Sequence, residues 1–233
     1  MIASDAERFL DNPFWSSLTT GHAHFALGGA LARRYPADIS PIAGLAAPEP
    51  PNIAALERIV EAGDDMATIA RSTPILPAHW EILYESRVTQ MIRSEPTPLP
   101  EDSVEASTLG RGDVPEMLAL VELTKPGPFR LRTIELGTYI GLRQSGRLLA
   151  MAGERLWIDD FREVSAVCTH PEFQGRGIAK ALVSAIGSEI VARGEVPFLQ
   201  AYVSNAAAIA TYMRLGFTPR RNLIFTTLQR RAG

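Results

Sequence analysis

The sequence predicts a mixed α/β fold of the α+β kind, and three observations carry that prediction. Between 162 and 204 an extended apolar run, a glycine turn, a run of helical period and a second extended run follow one another, the order of a strand, a crossover helix and a strand. Further extended runs flank this unit, so strands outnumber helices. With 46% hydrophobic and 21% charged side chains in 233 residues, the chain can bury one large core or two small ones.

Two proline-rich stretches, "PIAGLAAPEPPN" at 41–52 and "SEPTPLPEDS" at 94–103, punctuate the chain. In the second, alternate prolines favour extended polyproline-like backbone and acids flank them, so few contacts are expected to cross it. It reads as a boundary between a smaller N-terminal α/β segment, 1–100, and a C-terminal domain, 104–233. In the first part, "HAHFALGGALARRY" (22–35) shows two short strand-like runs around Gly28 and Gly29, a pair that tolerates positive φ in a hairpin. "NIAALERIVEAG" (52–63) predicts a helix with Asn52 as N-cap, Ile53, Leu56, Ile59 and Val60 on one face, and Gly63 past its end. "WEILYESRVTQMI" (80–92) predicts a strand.

In the second part, "DVPEMLALVEL" (113–123) predicts a helix with Asp113 and Glu116 in capping-box spacing and Met117, Leu118 and Val121 on one face. Strands are expected over 138–143 and 147–157, joined by the turn Gln144-Ser145-Gly146, and over 162–169. A helix follows from about Ile178, with Ile178, Leu182, Ile186 and Ile190 four apart and Gly194 closing it. A strand over 197–204, a short helix over 205–216 and a strand over 223–229 complete the chain. The strands on either side of the 178–194 helix should be parallel, and ligands of such units sit beyond the carboxyl ends of the strands.

Composition narrows the function. No apolar run reaches the roughly 18 residues of a membrane helix, and the acidic start lacks a signal-like segment, so no membrane partner and a cytoplasmic location are expected. A net charge of −3 argues against a nucleic-acid surface. Cys168 is the only cysteine, with His22, His24, His79 and His170 the only histidines. No disulfide and no metal are expected; His22 and His24 share one face of an extended run but have no third ligand.

The turn at 174–179 carries the chemistry. Gly175 and Gly177 let the backbone approach a ligand, the amides that open the next helix are unpaired, and Arg176 and Lys180 add charge, so a phosphate is the natural guest. A Walker loop would need Gly-Lys-Ser/Thr, and a dinucleotide fingerprint would need glycine where Lys180 stands. The pattern Gln174-x-x-Gly177-x-Ala179 instead resembles the pyrophosphate signature Q/R-x-x-G-x-G/A of the GNAT superfamily of acyl-CoA-dependent N-acetyltransferases. Asn205, Ala208, Tyr212 and Gly216-Phe217 resemble its second signature, N-x-x-A-x-x-x-Y-x-x-x-G-F, and the likeness covers about 104–233. "EVSAVCTHPEFQGRG" (163–177) is most similar to the branch holding glycine N-acyltransferase-like proteins, in which another domain comes first.

The resemblance implies a GNAT-type fold, with the N-terminal segment a degenerate partial copy of it at most. It also implies direct acyl transfer from acetyl-CoA, or another short acyl-CoA, to a small-molecule or peptide amine, by a chain free to form a homodimer. Gln174, Gly175, Arg176, Gly177, Ile178, Ala179 and Lys180 would hold the pyrophosphate. Backbone along Val167, Cys168 and Thr169 would face the thioester, with N–H groups there meeting the oxyanion, and Asn205 and Ala208 would meet the pantetheine arm. Tyr212 matches the family's general acid. Glu163, eleven residues before Gln174, has the offset of the base glutamate of GNAT histone acetyltransferases. Plainer readings stand beside each: a structural glycine turn, a core tyrosine, a strand-edge charge at 163 and a simple helix cap at Asn205. Cys168 and His170 lie two apart on one face, yet no orienting acid supports a nucleophile and base. Glu154, Asp159, Asp160 and Glu163 suit a cationic acceptor or a solvated acidic loop. A non-catalytic acyl-CoA-binding module is the alternative to an enzyme.

Overall fold

The computed structural model describes residues 6–93 and 105–231. A 3₁₀ turn, Ala6–Asp11, leads into α1 (Pro13–Thr19), then β1 (Leu27–Gly28), β2 (Ala32–Arg34), β3 (Ala43–Leu45), α2 (Pro50–Glu57), β4 (Asp65–Ala70) and β5 (Trp80–Ile92). The second part holds β6 (Ala106–Thr108), α3 (Val114–Thr124), β7 (Tyr139–Gln144), β8 (Arg147–Ile158), β9 (Phe161–Thr169), α4 (Ile178–Ala192), β10 (Val196–Tyr202), α5 (Ala206–Arg214) and β11 (Thr218–Arg230). The three short strands β1-β2-β3 form a small sheet, and the others form one large sheet in the order β4-β11-β5-β10-β9-β8-β7-β6. Its pairs are antiparallel except β9 with β10, which are joined by the crossover helix α4.

That order corrects one expectation. The polyproline reading of 94–103 falls outside the described residues, but the sparse contact expected across it is not found: β5, from the N-terminal part, lies between β10 and β11. The two parts share a sheet.

Local chemistry explains where other boundaries moved. Pro50 and Pro51 preset φ for a first helical turn, so α2 starts after Glu49 rather than at Asn52. Asn52 is buried inside the helix and donates through Nδ2 to Leu31 O at 2.8 Å. The helix ends at Glu57, and Gly63 serves a separate turn at φ 92°. Asp113 and Glu116 do not form a capping box; Asp113 accepts from the Gly110 amide (2.7 Å), and both carboxylates pair with Arg143. The Gln144–Gly146 turn is as expected, with Ser145 and Gly146 both left-handed. β11 begins at Thr218, where a bulge between Pro219 and Arg221 admits a proline to the ladder.

Apolar residues on the two faces of the sheet make separate cores. Ile178, Leu182, Ile186 and Ile190 of α4 are all buried against Val164 and Leu199. Burying each such side chain contributes about 1.5–3 kcal/mol. Phe161 and Phe198, which neighbour the α4-facing residues along β9 and β10, point to the other face by strand alternation and meet Phe14 and Leu18 of α1. Met117 and Leu120 of α3 join Tyr139, Met151 and Cys168.

Candidate active site

The sheet opens at its one parallel pair. β9 and β10 are paired only at Phe161–Glu163 against Val196–Phe198. Beyond Glu163, β9 keeps β8 as partner while β10 keeps β5, so the strands part toward their carboxyl ends. Where β9 runs along this opening it bulges: Ser165 is opposite Gly153 and Cys168 opposite Met151, with Ala166 left-handed at φ 51°. A left-handed alanine costs of order 1–3 kcal/mol, and the bulge takes backbone groups around Ala166 and Val167 out of regular pairing.

After Thr169 the chain makes a short 3₁₀ turn and reaches the glycine loop. Gln174 Nε2 donates to Thr169 O (3.3 Å), tying the loop to the end of β9. Gly175 and Gly177 are both left-handed at φ 77°, with open space where a side chain would begin. No side chain caps α4. The amides of Ile178, Ala179 and Lys180 therefore open the helix without intrahelical acceptors, at the positive end of its dipole. Arg176 is exposed, lies over the Phe173 ring at 4.8 Å and donates to Glu172 O (3.3 Å).

α5 closes the other side. Asn205 Oδ1 accepts from Ala208 N at 3.1 Å, so the capping geometry is present. Tyr212 is half-buried, packs on the α4 core that Val167 also borders, and meets the Phe217 ring edge-on at 6.3 Å. Burial raises its phenol above the usual tyrosine range, so it stays protonated at neutral pH.

The other candidates differ from expectation. Glu163 is neither a strand-edge charge nor an open carboxylate. It is fully buried, with Arg155 donating from Nε (2.8 Å) and Nη2 (2.7 Å) to its two oxygens and Gln200 Nε2 adding a bond to Oε1 at 2.8 Å. Glu154 is also buried and pairs with Arg162 and Arg193, so no acidic loop joins it to Glu163. Cys168 is buried in the α3 core, and burial pushes its thiol up to about 11, which leaves no thiolate at neutral pH. His170 Nε2 accepts from Arg147 at 2.6 Å instead of serving Cys168. His22 and His24 lie at a 3₁₀ turn, not on a strand; His22 Nδ1 accepts from Tyr35 (2.9 Å), whose hydroxyl also meets Ser17 Oγ (2.9 Å), and Nε2 donates to Leu136 O (3.1 Å). Among the described residues no group of three or more His, Cys, Asp or Glu is placed to hold a metal ion.

Beside the bulge is a small recess that sequence reasoning did not anticipate. It is lined by Tyr139, Arg155, Ser165 and Ala166 from the strands and by Pro126, Pro128 and Phe129 from the segment after α3. The signal was available in the alternation of Arg155 and Glu163 on the two arms of the β8–β9 hairpin, but bulges in that hairpin hid the register. The loop over the recess hangs on the N-terminal part: Arg132 N and Thr133 Oγ1 donate to Asp38 O and Ile39 O (2.9 and 2.6 Å), and Leu136 O receives His22.

The FR47-like protein family model matches residues 139–226. A crystal structure described as an acetyltransferase from the GNAT family of Novosphingobium aromaticivorans DSM 12444 is 36% identical, has a TM-score of 0.89, and is matched over 96% of this chain and 99% of its own. The ribosomal protein bS18 alanine N-acetyltransferase of Escherichia coli K12 is 36% identical over 90 residues, 37% of this chain and 60% of its own. The N-alpha-acetyltransferase RimI of Mycobacterium tuberculosis is 38% identical over 82 residues, 34% of this chain and 51% of its own. The chain thus spans 60% or less of the length of these curated relatives.

Proposed function

Because the chain belongs to the GNAT family of acetyltransferases, we propose that it transfers an acetyl group from acetyl-CoA directly to a primary amine, the observation that carries this being an opened parallel strand pair whose bulge adjoins an uncapped, glycine-led helix start. Amides of Gly175 to Lys180, with Gln174, Arg176 and Lys180 alongside, fit a pyrophosphate by charge and by open space. Backbone N–H near Val167 and Cys168 serves the oxyanion, Thr169 borders the donor, and Asn205 and Ala208 flank its arm. Tyr212, a protonated phenol, gives its proton to the departing thiolate. The amine meets the donor on the Arg155 side of the bulge; the recess there has room for about one water-sized group, so it adjoins the entry and is not itself the channel.

Within this reading 104–233 holds the donor, and 1–100 shapes the acceptor side by suspending the loop over the recess. Likeness to the two N-terminal acetyltransferases supports an amino group at a peptide start as acceptor. Likeness to glycine N-acyltransferase-like proteins rests on 163–177 alone. Use of acetyl-CoA supports a cytoplasmic location.

Calorimetry with acetyl-CoA tests the donor site. Gly177→Glu places a side chain at a left-handed position and an anion where the phosphate sits, so binding should be lost while the melting temperature without ligand falls only modestly. Unchanged affinity in this variant would remove the glycine turn from the donor site.

A further inference from the structure

Tyr84 of β5, Tyr202 of β10 and Phe225 of β11 meet ring to ring at the margin of the core that α1 covers. Tyr202 stands nearly perpendicular (88°) to both others, at 6.2 Å from Tyr84 and 6.3 Å from Phe225. Strand register explains the cluster: Phe225 is directly opposite Ser86, Tyr84 is two residues before Ser86, and Tyr202 is opposite Val88, two residues after it. Three rings thus surround one small side chain. Val88 and Leu223 are buried on this face, whereas Tyr84 is 47% and Tyr202 39% exposed. Large rings left open to water in one cluster mark a surface that a ligand or partner covers.

Their place in the sheet says which. Phe198, Gln200 and Tyr202 alternate onto the face of β10 away from α4. The last β9–β10 pair is Glu163 with Phe198, and Tyr202 lies four residues beyond it on β10, as Val167 does on β9. Tyr202 therefore stands across the opening from the bulge. Burial raises its phenol above the usual tyrosine range, Tyr84 adds to the rise and Arg155 opposes it, so the ring is uncharged at neutral pH and close to Arg155.

Electrostatics narrows what covers the rings. Ser86, Val88, Leu223 and Thr227 share their face and carry no charge, and Arg155 cancels the charge of Glu163 at 2.7–2.8 Å. The edge-on packing already turns the positive edges of some rings to the negative faces of others, so a further cation is poorly served. A flat, uncharged ring fits such a surface, because stacking there releases water from both partners.

Resting on the acetyltransferase reading above, we infer that the acceptor carries an uncharged aromatic ring on a short chain from its reactive amine, with the amine at the bulge and the ring on Tyr202, Tyr84 and Phe225. The nitrogen bonds to the acetyl carbon as the carbon–sulfur bond breaks, and the proton that the amine loses replaces the one that Tyr212 gives to the thiolate. Tyr84 belongs to the N-terminal part, which thereby supplies a wall of the acceptor site.

The test uses the full chain, saturating acetyl-CoA and thiol release, comparing kcat/KM for phenethylamine, ethylamine and putrescine. Phenethylamine should exceed both others by about ten-fold or more. Equal or better turnover of ethylamine, or of the dicationic putrescine, overturns the inference. In Tyr84→Ala the preference for phenethylamine over ethylamine should fall about ten-fold, through KM and not kcat, and Tyr84→Phe should retain it. An equal fall for both amines makes Tyr84 structural and counts against the proposal. Should Tyr84→Ala not fold, Tyr202→Leu replaces it: the same loss of preference is expected, and an unchanged preference overturns the inference. A dimer in sedimentation that Tyr84→Ala splits would make the rings a contact between copies and also overturn it. Acetyl-CoA binding without turnover of any of the three overturns the acceptor inference and leaves the donor site standing; failure to bind acetyl-CoA overturns both.

Discussion

At the scale of single residues, Tyr212 and Cys168 separate two routes for the acyl group. Direct transfer needs an acid that is protonated before it acts, and burial keeps the Tyr212 phenol in that state. Tyr212→Phe deletes only the hydroxyl, so acetyl-CoA affinity should persist while turnover falls by on the order of 10²-fold. Loss of both together in the same preparation would assign Tyr212 to binding. A covalent route needs a thiolate, and the Cys168 thiol, pushed up to about 11, supplies none at neutral pH. Cys168→Ala should therefore cost packing and little activity, and mass spectrometry of enzyme with acetyl-CoA and no amine should find no acetyl adduct; a stoichiometric adduct that an amine discharges would reverse the mechanism. Residues whose placement depends on type and spacing were legible in the sequence: the glycine turn, the Asn205 cap and the tyrosine all stand in the elements their motifs suggest. Arg155 and Gln200 were not, because their significance comes from partners on other strands.

At the scale of elements, the helix α4 and the loop over the recess show what patterning can and cannot say. The four-residue spacing of Ile178, Leu182, Ile186 and Ile190 named the centre of the buried face, which Val183, Ser184 and Gly187 widen. Leu182→Ala should lower stability by about 2–5 kcal/mol in denaturant unfolding, and a change within error would mean that the helix packs less tightly than its burial indicates. α1 and β4 went unread: α1 contains serines and a threonine among its apolar residues, and β4 is a short strand with alanines and an exposed aspartate. One of the ties on the recess loop is His22, whose neutral ring is held in a buried site between a Tyr35 donor and the Leu136 carbonyl. Burial above all lowers its pKa from an ordinary 6.5 to about 4. Between those values the unfolded chain takes up a proton that the folded chain refuses, so this contribution is full above pH 6.5 and is lost as pH falls toward 4, by on the order of 3 kcal/mol. The melting temperature should drop across that interval in wild type and less steeply in His22→Gln; parallel curves would exclude His22 as the source.

At the scale of the whole molecule, the shared sheet decides how the chain can be divided. A polypeptide beginning at residue 105 lacks β4 and β5, which strips partners from both edges of β11 and from one edge of β10. Unpaired edges next to apolar Leu199 and Leu223 are templates for association. Such a fragment should aggregate, and a soluble monomer with a cooperative melt would show that the C-terminal part closes its sheet another way. The boundary expected at 94–103 failed for a physical reason: proline content reports local backbone preference, whereas the position of β5 depends on pairing with strands more than 100 residues later. That placement also bears on synthesis. β5 emerges early from the ribosome but must wait for Val196–Tyr202 on one side and Thr218–Arg230 on the other, and β4 has no partner in the large sheet until β11 arrives. More than 100 residues beyond β5 must be made before those two strands can be paired, so the central sheet cannot assemble in the order in which it is translated, and the growing polypeptide carries unpaired β4 and β5 across that stretch of elongation.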